Sequence, residues 1–485
     1  MLTEIQLTEI LQQNGTGLKA CVLLPDYTTT NVDYKNYDPP RYLNNLLPQA
    51  NLDTVFLNKL TTYKQLETLK KANYHIYINL CEGYLNWSVP SIDVIHSLDA
   101  LNLPYTGPTA LLYDPEKTQM KYVAYTENIL TPNYALIENL SNLQAKTQHL
   151  KYPLFVKPAK AGDSLGINHN SLVNNFEGLE LKVLEIFEDY APLLIEEYID
   201  GREFTCLIIA NSKDANNPTI LQPIEYIFPA GYAFKTYSLK TNELHANANI
   251  VCAHKALANQ IKEATKKIFK SFNGVGYARL DFRVNTNNQL YFLEINFTCS
   301  VFYSKGMEGS ADYILQHDGM GQQNFLKAII TEGILRHNAK QKKYTMQGNS
   351  ISGYGIYANT NILQNDIIFK GEEHAQRIVT KNWVQQNWND NDKKIFAHYA
   401  YPISPQIYIL WSNNPADWAP QNHSCNPNCH YQGLNVIATH NITTNEELTL
   451  DYATFLDKSL KPFNCACGAL NCRGVVSGDK NNSIS

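Results

Sequence analysis

Four cysteines constrain the C-terminal part of this chain more than any other feature. Three lie together as Cys465-x-Cys467-x4-Cys472, and a fourth, Cys425, stands some 40 residues upstream. Four thiolates complete the ligand set of a closed tetrahedral Zn2+ site. The tight spacing lets one short loop reach three corners of the tetrahedron. Folding must deliver the fourth, so the tail is expected to be clamped over the NHSC segment. Free or disulfide-bonded cysteines in a tail are the ordinary alternative. Against it, the other cysteines point to a reducing compartment. Half of the 10 precede Cys425 and are scattered singly in apolar strings such as Ala20-Cys21-Val22, as buried core thiols are. A cytoplasmic location is therefore expected.

A chain of 485 residues is too long for one ordinary core, and about two to four domains is the prior. A charged fraction of 18% with 44% hydrophobic residues suits a folded, water-soluble protein. The net charge of -5 supplies no basic field, so no nucleic-acid partner is expected. The opening MLTEIQLTEILQQNGTG is acidic and polar and reads as a short amphipathic helix, not a signal peptide. No apolar segment approaches the ~18 residues that span a bilayer, so no membrane partner is expected.

LKACVLLP (18–25) is an apolar run of the kind that forms a buried parallel strand, and TVFLN, YHIYINLCEG and LPYTG repeat the theme. Strands alternating with helical stretches predict a doubly wound α/β domain over 1–112. Beyond it, YPLFVKPAKAGDSLGI places Lys157 at the end of a strand, before a loop of small residues that includes Ser164. Small residues let backbone N–H groups approach phosphate oxygens, and the lysine adds a fixed positive charge. In GYARLDFRVNTNNQLYFLEINFTCS, a hairpin turn sets Asp281 beside Glu294, and Asn296 shares Glu294's face. Two carboxylates and an amide oxygen are hard ligands suited to a Mg2+ ion that also meets nucleotide phosphates. Arg279, on Asp281's face, is placed to neutralise charge developing at a reacting centre.

Residues 100–335 resemble the ATP-grasp fold, most closely the D-alanine–D-alanine ligase branch. The resemblance implies that PYTG (104–107) and Lys117 open the ATP-binding part, and that Lys157 and the loop 161–166 contact phosphates. It further implies adenine and ribose contacts from Glu196, Tyr198, Ile199 and Glu203, and a mobile loop carrying Tyr237 and Lys240. Arg279 matches the catalytic arginine, and Asp281, Glu294 and Asn296 match the magnesium ligands. The family phosphorylates a carboxylate with ATP and lets an amine attack the acyl phosphate. Two departures stand out. The Pro-Gly turn that binds the acceptor's carboxylate is replaced by FTCSVFYSKGMEG, and the glutamate-bearing N-terminal loop by DYTTTNVDYKNYDPP. Both argue for substrates other than two D-alanines, or for an ATP-binding module that no longer ligates.

The polar stretch 337–349 reads as a linker between a domain at 113–336 and one at 350–460. Gly353-Tyr354-Gly355 permits close backbone approach to a ligand. NHSCNPN (422–428), ELTLDY (447–452) and the C-x-C-x4-C-RG segment (465–474) follow in order. Together these strings resemble a SET-domain methyltransferase with its zinc-binding post-SET segment, here 461–476, before a polar tail at 477–485. The resemblance implies that Tyr354, Gly355, Asn422 and His423 bind S-adenosylmethionine and that Tyr452 stands beside the transferred methyl. It also implies that Cys425, Cys465, Cys467 and Cys472 hold zinc. The insert 379–419 carries four of the five tryptophans, Trp383, Trp388, Trp411 and Trp418, which serve either the core or a substrate groove. Before NHSC the family's R-F-I string is replaced by Ala419-Pro420-Gln421, and Leu450 stands where relatives often carry an aromatic ring.

The expected architecture is multidomain, α/β and β-rich: a doubly wound pre-ATP-grasp domain, an ATP-grasp fold, and a SET β-fold with a post-SET zinc loop. The expected function is a two-site enzyme using ATP, Mg2+, S-adenosylmethionine and Zn2+ on an amino-acid, peptide or protein-lysine substrate. The alternative is a protein-lysine methyltransferase whose ATP-grasp half binds or senses nucleotide. The oligomeric state is left open.

Overall fold

The strand Lys19–Pro25 buries six of its seven residues, as a central strand covered on both faces must. The computed structural model describes residues 2–30, 38–83, 87–160, 164–236, 248–411, 421–456 and 462–478. In it this strand lies between Asn51–Leu57 and Ile76–Asn79 in a three-stranded parallel sheet. Helices Thr62–Lys70 and Ile92–Ala100 cover one face, and the helix Gly321–Lys340 packs its apolar residues against the other. LPYTG, expected as a further strand, supplies only a bridge from Tyr105 to Tyr77. The opening segment forms the helix Glu4–Gln12, closed by a capping box on Thr3.

Two antiparallel sheets follow. The first orders its strands as Tyr134–Ile137, Leu193–Glu197, Leu154–Pro158 and Leu172–Val173. The amphipathic helix Phe176–Tyr190 covers it, burying Leu179, Val183 and Ile186. The second is six-stranded. Gly201–Ile209 and Tyr277–Asn285 pair along their full length, and Leu290–Asn296 forms one edge. The helix Lys255–Ser271 closes its back. At Gly201 (φ +148°) a Cβ would stand 2.0 Å from the Val284 carbonyl oxygen, so only glycine turns the chain from the first sheet into the second.

Residues Met1–Lys340 form one compact unit and Gln341–Ser485 another. The division falls inside the stretch 337–349, where a boundary is expected. The segments 1–112 and 113–336 share a core in which Leu24 and Ile78 join Leu207, Phe325 and Ile330, so they are parts of one unit. The expected linker at 337–349 is structured: the helix runs to Lys340, and Tyr344–Asn349 is a strand paired with Gly353–Ala358.

The second unit is built from small sheets. Ile367–Lys370, Asn435–Ala438 and Cys429–Gln432 form one, and Arg377–Thr380, Ile407–Leu410 and Tyr401–Ser404 another. Trp411 is buried and donates its indole N–H to the Gly371 carbonyl (3.1 Å). Trp388 packs edge-on against Phe396, and Trp383 is exposed. Trp418 lies outside the described residues. Among the described residues no helix is long and apolar enough to cross a membrane.

Candidate active sites

In the first unit the two antiparallel sheets face each other across a cleft lined from both sides. Lys157 and Glu196 project from the first sheet. Lys157 Nζ lies 2.6 Å from Glu196 Oε2, and Lys121 Nζ lies 2.5 Å from Oε1. Burial alone would raise the Glu196 carboxyl, but the two lysines override it and hold the group down at about 2. Lys117, one turn before Lys121 on the helix Lys117–Thr126, reaches Glu294 Oε2 at 3.9 Å. Tyr198, Ile199 and Ser164 also line the cleft. Ser164 and Gly166 adopt left-handed backbone (φ +58° and +70°), as a loop that turns its N–H groups toward a ligand does. Residues 161–163, Tyr237 and Lys240 lie outside the described residues.

The second sheet supplies the rest. Its register sets Arg279 opposite Asn296 and Asp281 opposite Glu294, so all four side chains share one face. Arg279 Nε and Nη2 donate to the two oxygens of Asp281 (3.2 and 3.1 Å), and Thr205 Oγ1 donates to Oδ1 (2.6 Å). Asn296 turns its Nδ2 toward Asp281 (3.4 Å), which leaves its amide oxygen for another partner. That oxygen with the two carboxylates is a hard, anionic donor set, and it fits Mg2+.

Three residues of this site escaped the sequence reading: Lys121, Lys235 and Arg283. Glu203, expected at the ribose, is held between Lys235 (3.1 Å) and Arg283 (3.2 Å). Arg283 also stacks over Tyr198 at 4.8 Å and donates to the Ile199 carbonyl (2.8 Å). Arg283 was within reach of strand alternation from Asp281, and Lys121 of i,i+4 spacing from Lys117. Lys235, a lone lysine among aromatic residues, carried no such signal.

In the second unit, Asn422–His423 pairs in parallel with Thr449–Leu450 and brings the two signature strings side by side. Asn422 Nδ2 donates to the Tyr354 carbonyl (2.7 Å) and to Glu447 Oε1 (2.8 Å), which orients its amide oxygen away from both. Asn349 donates to the same Glu447 oxygen (3.1 Å). A Cβ on Gly355 would stand 2.5 Å from it, so glycine is what lets the carboxylate in. Tyr452 O–H donates to the Gln421 carbonyl (2.7 Å), and its backbone N–H donates to His423 Nδ1 (3.1 Å). Burial and the neighbouring phenols of Tyr354 and Tyr399 push the Tyr452 hydroxyl far above its usual range, so it stays protonated. Phe455 and Phe463 flank the ring.

The thiols of Cys425, Cys465, Cys467 and Cys472 all lie within 4.8 Å of one another. Cys425 and Cys465 are 3.8 Å apart, and a tetrahedron with Zn–S bonds of about 2.3 Å has edges of about 3.8 Å. The residues therefore fit zinc. Backbone N–H groups of Cys425 and Arg473 point at Cys467 and Cys425 sulfurs (3.5 and 3.4 Å), which favours thiolates. The first of these is the main reason the Cys467 thiol is drawn down to about 6. His423 Nε2 lies 3.4 Å from Cys425 Sγ, so one imidazole touches both the thiol cluster and the Tyr452 backbone. Cys429 is buried against Asn428, outside the cluster.

Residues 122–331 match the family model for the D-ala D-ala ligase C-terminus, and residues 353–453 match that for the SET domain. A D-alanine–D-alanine ligase of Legionella pneumophila (strain Lens) is 28% identical over 246 residues, 47% of this chain and 64% of that protein. One from Lactococcus lactis subsp. cremoris (strain SK11) is 29% identical over 206 residues, 41% of this chain and 57% of that protein. This chain thus spans less than two thirds of the length of these relatives. The solved D-alanine–D-alanine ligase of Bacillus anthracis with ATP has a TM-score of 0.49 at 18% identity, covering 67% of this chain and 99% of that one. The two matched segments of this chain stand one after the other, a D-ala D-ala ligase C-terminal segment followed by a SET domain.

Proposed function

We propose a two-site enzyme: ATP-dependent ligation of a carboxylate to an amine in the first unit, and N-methyl transfer from S-adenosylmethionine in the second. The observation that carries it is the shared face of Arg279, Asp281, Glu294 and Asn296 beside a cleft lined by Lys157. In this reaction class the carboxylate takes the terminal phosphoryl group, and an amine then displaces phosphate from the acyl carbon. Lys117, Lys157 and Arg279 would carry positive charge to the phosphoryl oxygens and the tetrahedral species. Asp281, Glu294 and Asn296 would hold Mg2+, which when bound neutralises phosphate charge.

At the second site the Gly353–Gly355 backbone, Asn422 and His423 would receive the methyl donor. Methyl transfer is an in-line displacement, so the acceptor nitrogen must be neutral and held at near-attack distance. The protonated Tyr452 hydroxyl and the Gln421 carbonyl supply the polar contacts for that alignment. The four cysteines would hold Zn2+, which when bound ties the C-terminal segment to His423 and Cys425. We place the enzyme in the cytoplasm, acting on amino-acid, peptide or protein-lysine substrates and not on nucleic acid or membranes.

ADP release from ATP and Mg2+ across a panel of carboxylic acids and amines tests the ligase site. Lys157→Ala and Glu294→Ala should abolish it, and no release with any pair refutes ligation. Labelled S-adenosylmethionine with cell extract tests the second site. Tyr452→Phe should cut labelling by about 100-fold or more, the scale of one positioned hydrogen-bond group, with donor affinity within about threefold. A second reading, a protein-lysine methyltransferase with a nucleotide-sensing half, is favoured by the aromatic set of Tyr401, Tyr431 and Phe455 beside Tyr452. It predicts label on protein and no ADP release.

A further inference from the structure

Glu203 holds two cations in the cleft of the first unit, and it holds them differently. Its strand Gly201–Ile209 pairs with Tyr277–Asn285 in a register that sets Glu203 opposite Arg283 and Thr205 opposite Asp281. Glu203, Lys235 and Arg283 line the same cleft as Lys157, Asp281 and Glu294. Arg283 takes one oxygen of Glu203, its Nη2 and Nε lying 3.2 and 3.4 Å from Oε2. Its Nη1 donates to the Ile199 carbonyl (2.8 Å), its Nη2 also to the Ala233 carbonyl (2.5 Å), and the guanidinium sits over the Tyr198 ring. With these contacts and only 4% of its side chain exposed, Arg283 is fixed in place.

Lys235 takes the other oxygen and has fewer ties. Its Nζ lies 3.1 Å from Glu203 Oε1 and 4.5 Å from the centre of the Tyr226 ring, with 14% of the side chain open to solvent. Among the described residues Glu203 is the carboxylate it meets at ion-pair distance. Burial works against the ionisation of Glu203, and Lys235 and then Arg283 keep it charged. A ribose that reaches this carboxylate brings two neutral hydroxyl donors to oxygens that are already paired. Arg283 is anchored to backbone carbonyls and stays. Lys235 has somewhere else to go. Two residues along the same face of the strand, about 7 Å away, Thr205 Oγ1 donates to Asp281 Oδ1 (2.6 Å) among the residues that fit Mg2+. The flexible four-carbon stem of a lysine covers that distance.

Resting on the nucleotide-binding reading of this cleft, we propose that Lys235 is a phosphate-contacting residue held in reserve by Glu203, and that the ribose hydroxyls release it. When the sugar donates to Glu203, the carboxylate keeps Arg283 and gives up Lys235. The ammonium then turns from one anion to another, the phosphate chain of the same nucleotide. Each half of the nucleotide thereby favours the other. The sugar frees the cation that the phosphates use, and the phosphates take up the cation that the sugar displaces. A polyanion without a ribose meets one positive charge fewer. The cleft in this way distinguishes a ribonucleoside triphosphate from an inorganic polyphosphate.

Binding to the full chain in Mg2+ tests this with no carboxylic acid or amine present, so absence of ADP release removes the ligase reading and leaves this proposal standing. Adenosine and inorganic pyrophosphate serve as the two halves, since together they leave the α-phosphate position empty. Saturating adenosine should tighten pyrophosphate at least fivefold, and 2′,3′-dideoxyadenosine by less than twofold. In Lys235→Gln, adenosine alone should bind as tightly as to wild type or tighter, pyrophosphate alone should stay within twofold, and the mutual effect should fall below twofold. A lysine that only braces Glu203 would instead give weaker adenosine binding and an unchanged mutual effect. Glu203→Gln frees Lys235 at all times, so pyrophosphate alone should bind at least threefold tighter, and adding Lys235→Gln should remove that gain. If Glu203→Gln misfolds, the Lys235→Gln result decides alone. A non-hydrolysable ATP analogue that fails to bind removes the nucleotide reading and the proposal together. An analogue that binds while adenosine and pyrophosphate show no mutual effect, or a mutual effect that survives Lys235→Gln, overturns the proposal alone.

Discussion

Glu196 shows how one residue ties the ATP-grasp cleft to the stability of the unit around it. Its carboxylate is fully enclosed with Lys121 and Lys157, and a buried ion pair persists only because each charge removes the cost of the other. Burial works against ionisation, the two lysines work for it, and the lysines prevail, leaving the group at about 2 against an ordinary 4.5. The sign follows from proton counting. Between those values the unfolded chain binds a proton that the folded chain does not. The stabilisation is thus complete above about pH 4.5 and is lost as pH falls toward 2. Urea unfolding of wild type and Glu196→Gln at pH 6 and pH 3 measures this. The variant should be less stable at pH 6 by about 3–5 kcal/mol, the scale of breaking a buried pair, and the gap should narrow at pH 3. A gap independent of pH would mean that Glu196 matters by shape and not by charge.

At the scale of elements, the strand Gly353–Ala358 does two jobs that only glycine reconciles. It pairs with Tyr344–Asn349, and it admits Glu447 to the place where a side chain at 355 would stand. Gly355→Ala would put a methyl 2.5 Å from Glu447 Oε1 and 2.8 Å from the Tyr357 ring. The carboxylate must then withdraw from Asn422, whose amide keeps only the Tyr354 carbonyl to orient it. Binding of S-adenosylmethionine should weaken about tenfold or more by calorimetry, about 1.4 kcal/mol or above, with a melting temperature lowered by only a few degrees. The G-x-G string was legible in the sequence because it depends on backbone alone. Glu447's contact was not, since it joins strands some 90 residues apart. The same division runs through the first unit. Lys157, Asp281, Glu294 and Asn296 sit on strands whose alternation is local. The pairing of Glu203 with Lys235, and the capture of loop amides by Asp312, depend on which strands the fold brings together. The misread linker has another cause. Tyr344–Asn349 exposes four of its six residues as one arm of a two-stranded hairpin, so its composition is that of a loop while its backbone bonds are those of a strand.

At the scale of the whole molecule, each compact unit has its own apolar core, and each contains all the residues assigned to its ligand. Ligands that bind only the folded state stabilise what they bind by mass action, about 2.7 kcal/mol at a hundredfold excess over Kd. Calorimetry of the full chain with a non-hydrolysable ATP analogue and Mg2+ should therefore raise the transition of Met1–Lys340. S-adenosylmethionine should raise that of Gln341–Ser485, by on the order of 5–10 °C for a unit of that size. A zinc chelator should act on the second transition only. Released from one another, the four thiols no longer hold Phe463–Val476 over His423, and the donor-induced rise should shrink with the metal content measured on the same sample. The pattern separates the three ligands by the unit each one stabilises. A chelator that lowered the nucleotide-responsive transition, or a methyl donor whose effect survived complete loss of zinc, would show that the thiol cluster does not support the Asn422–Tyr452 site.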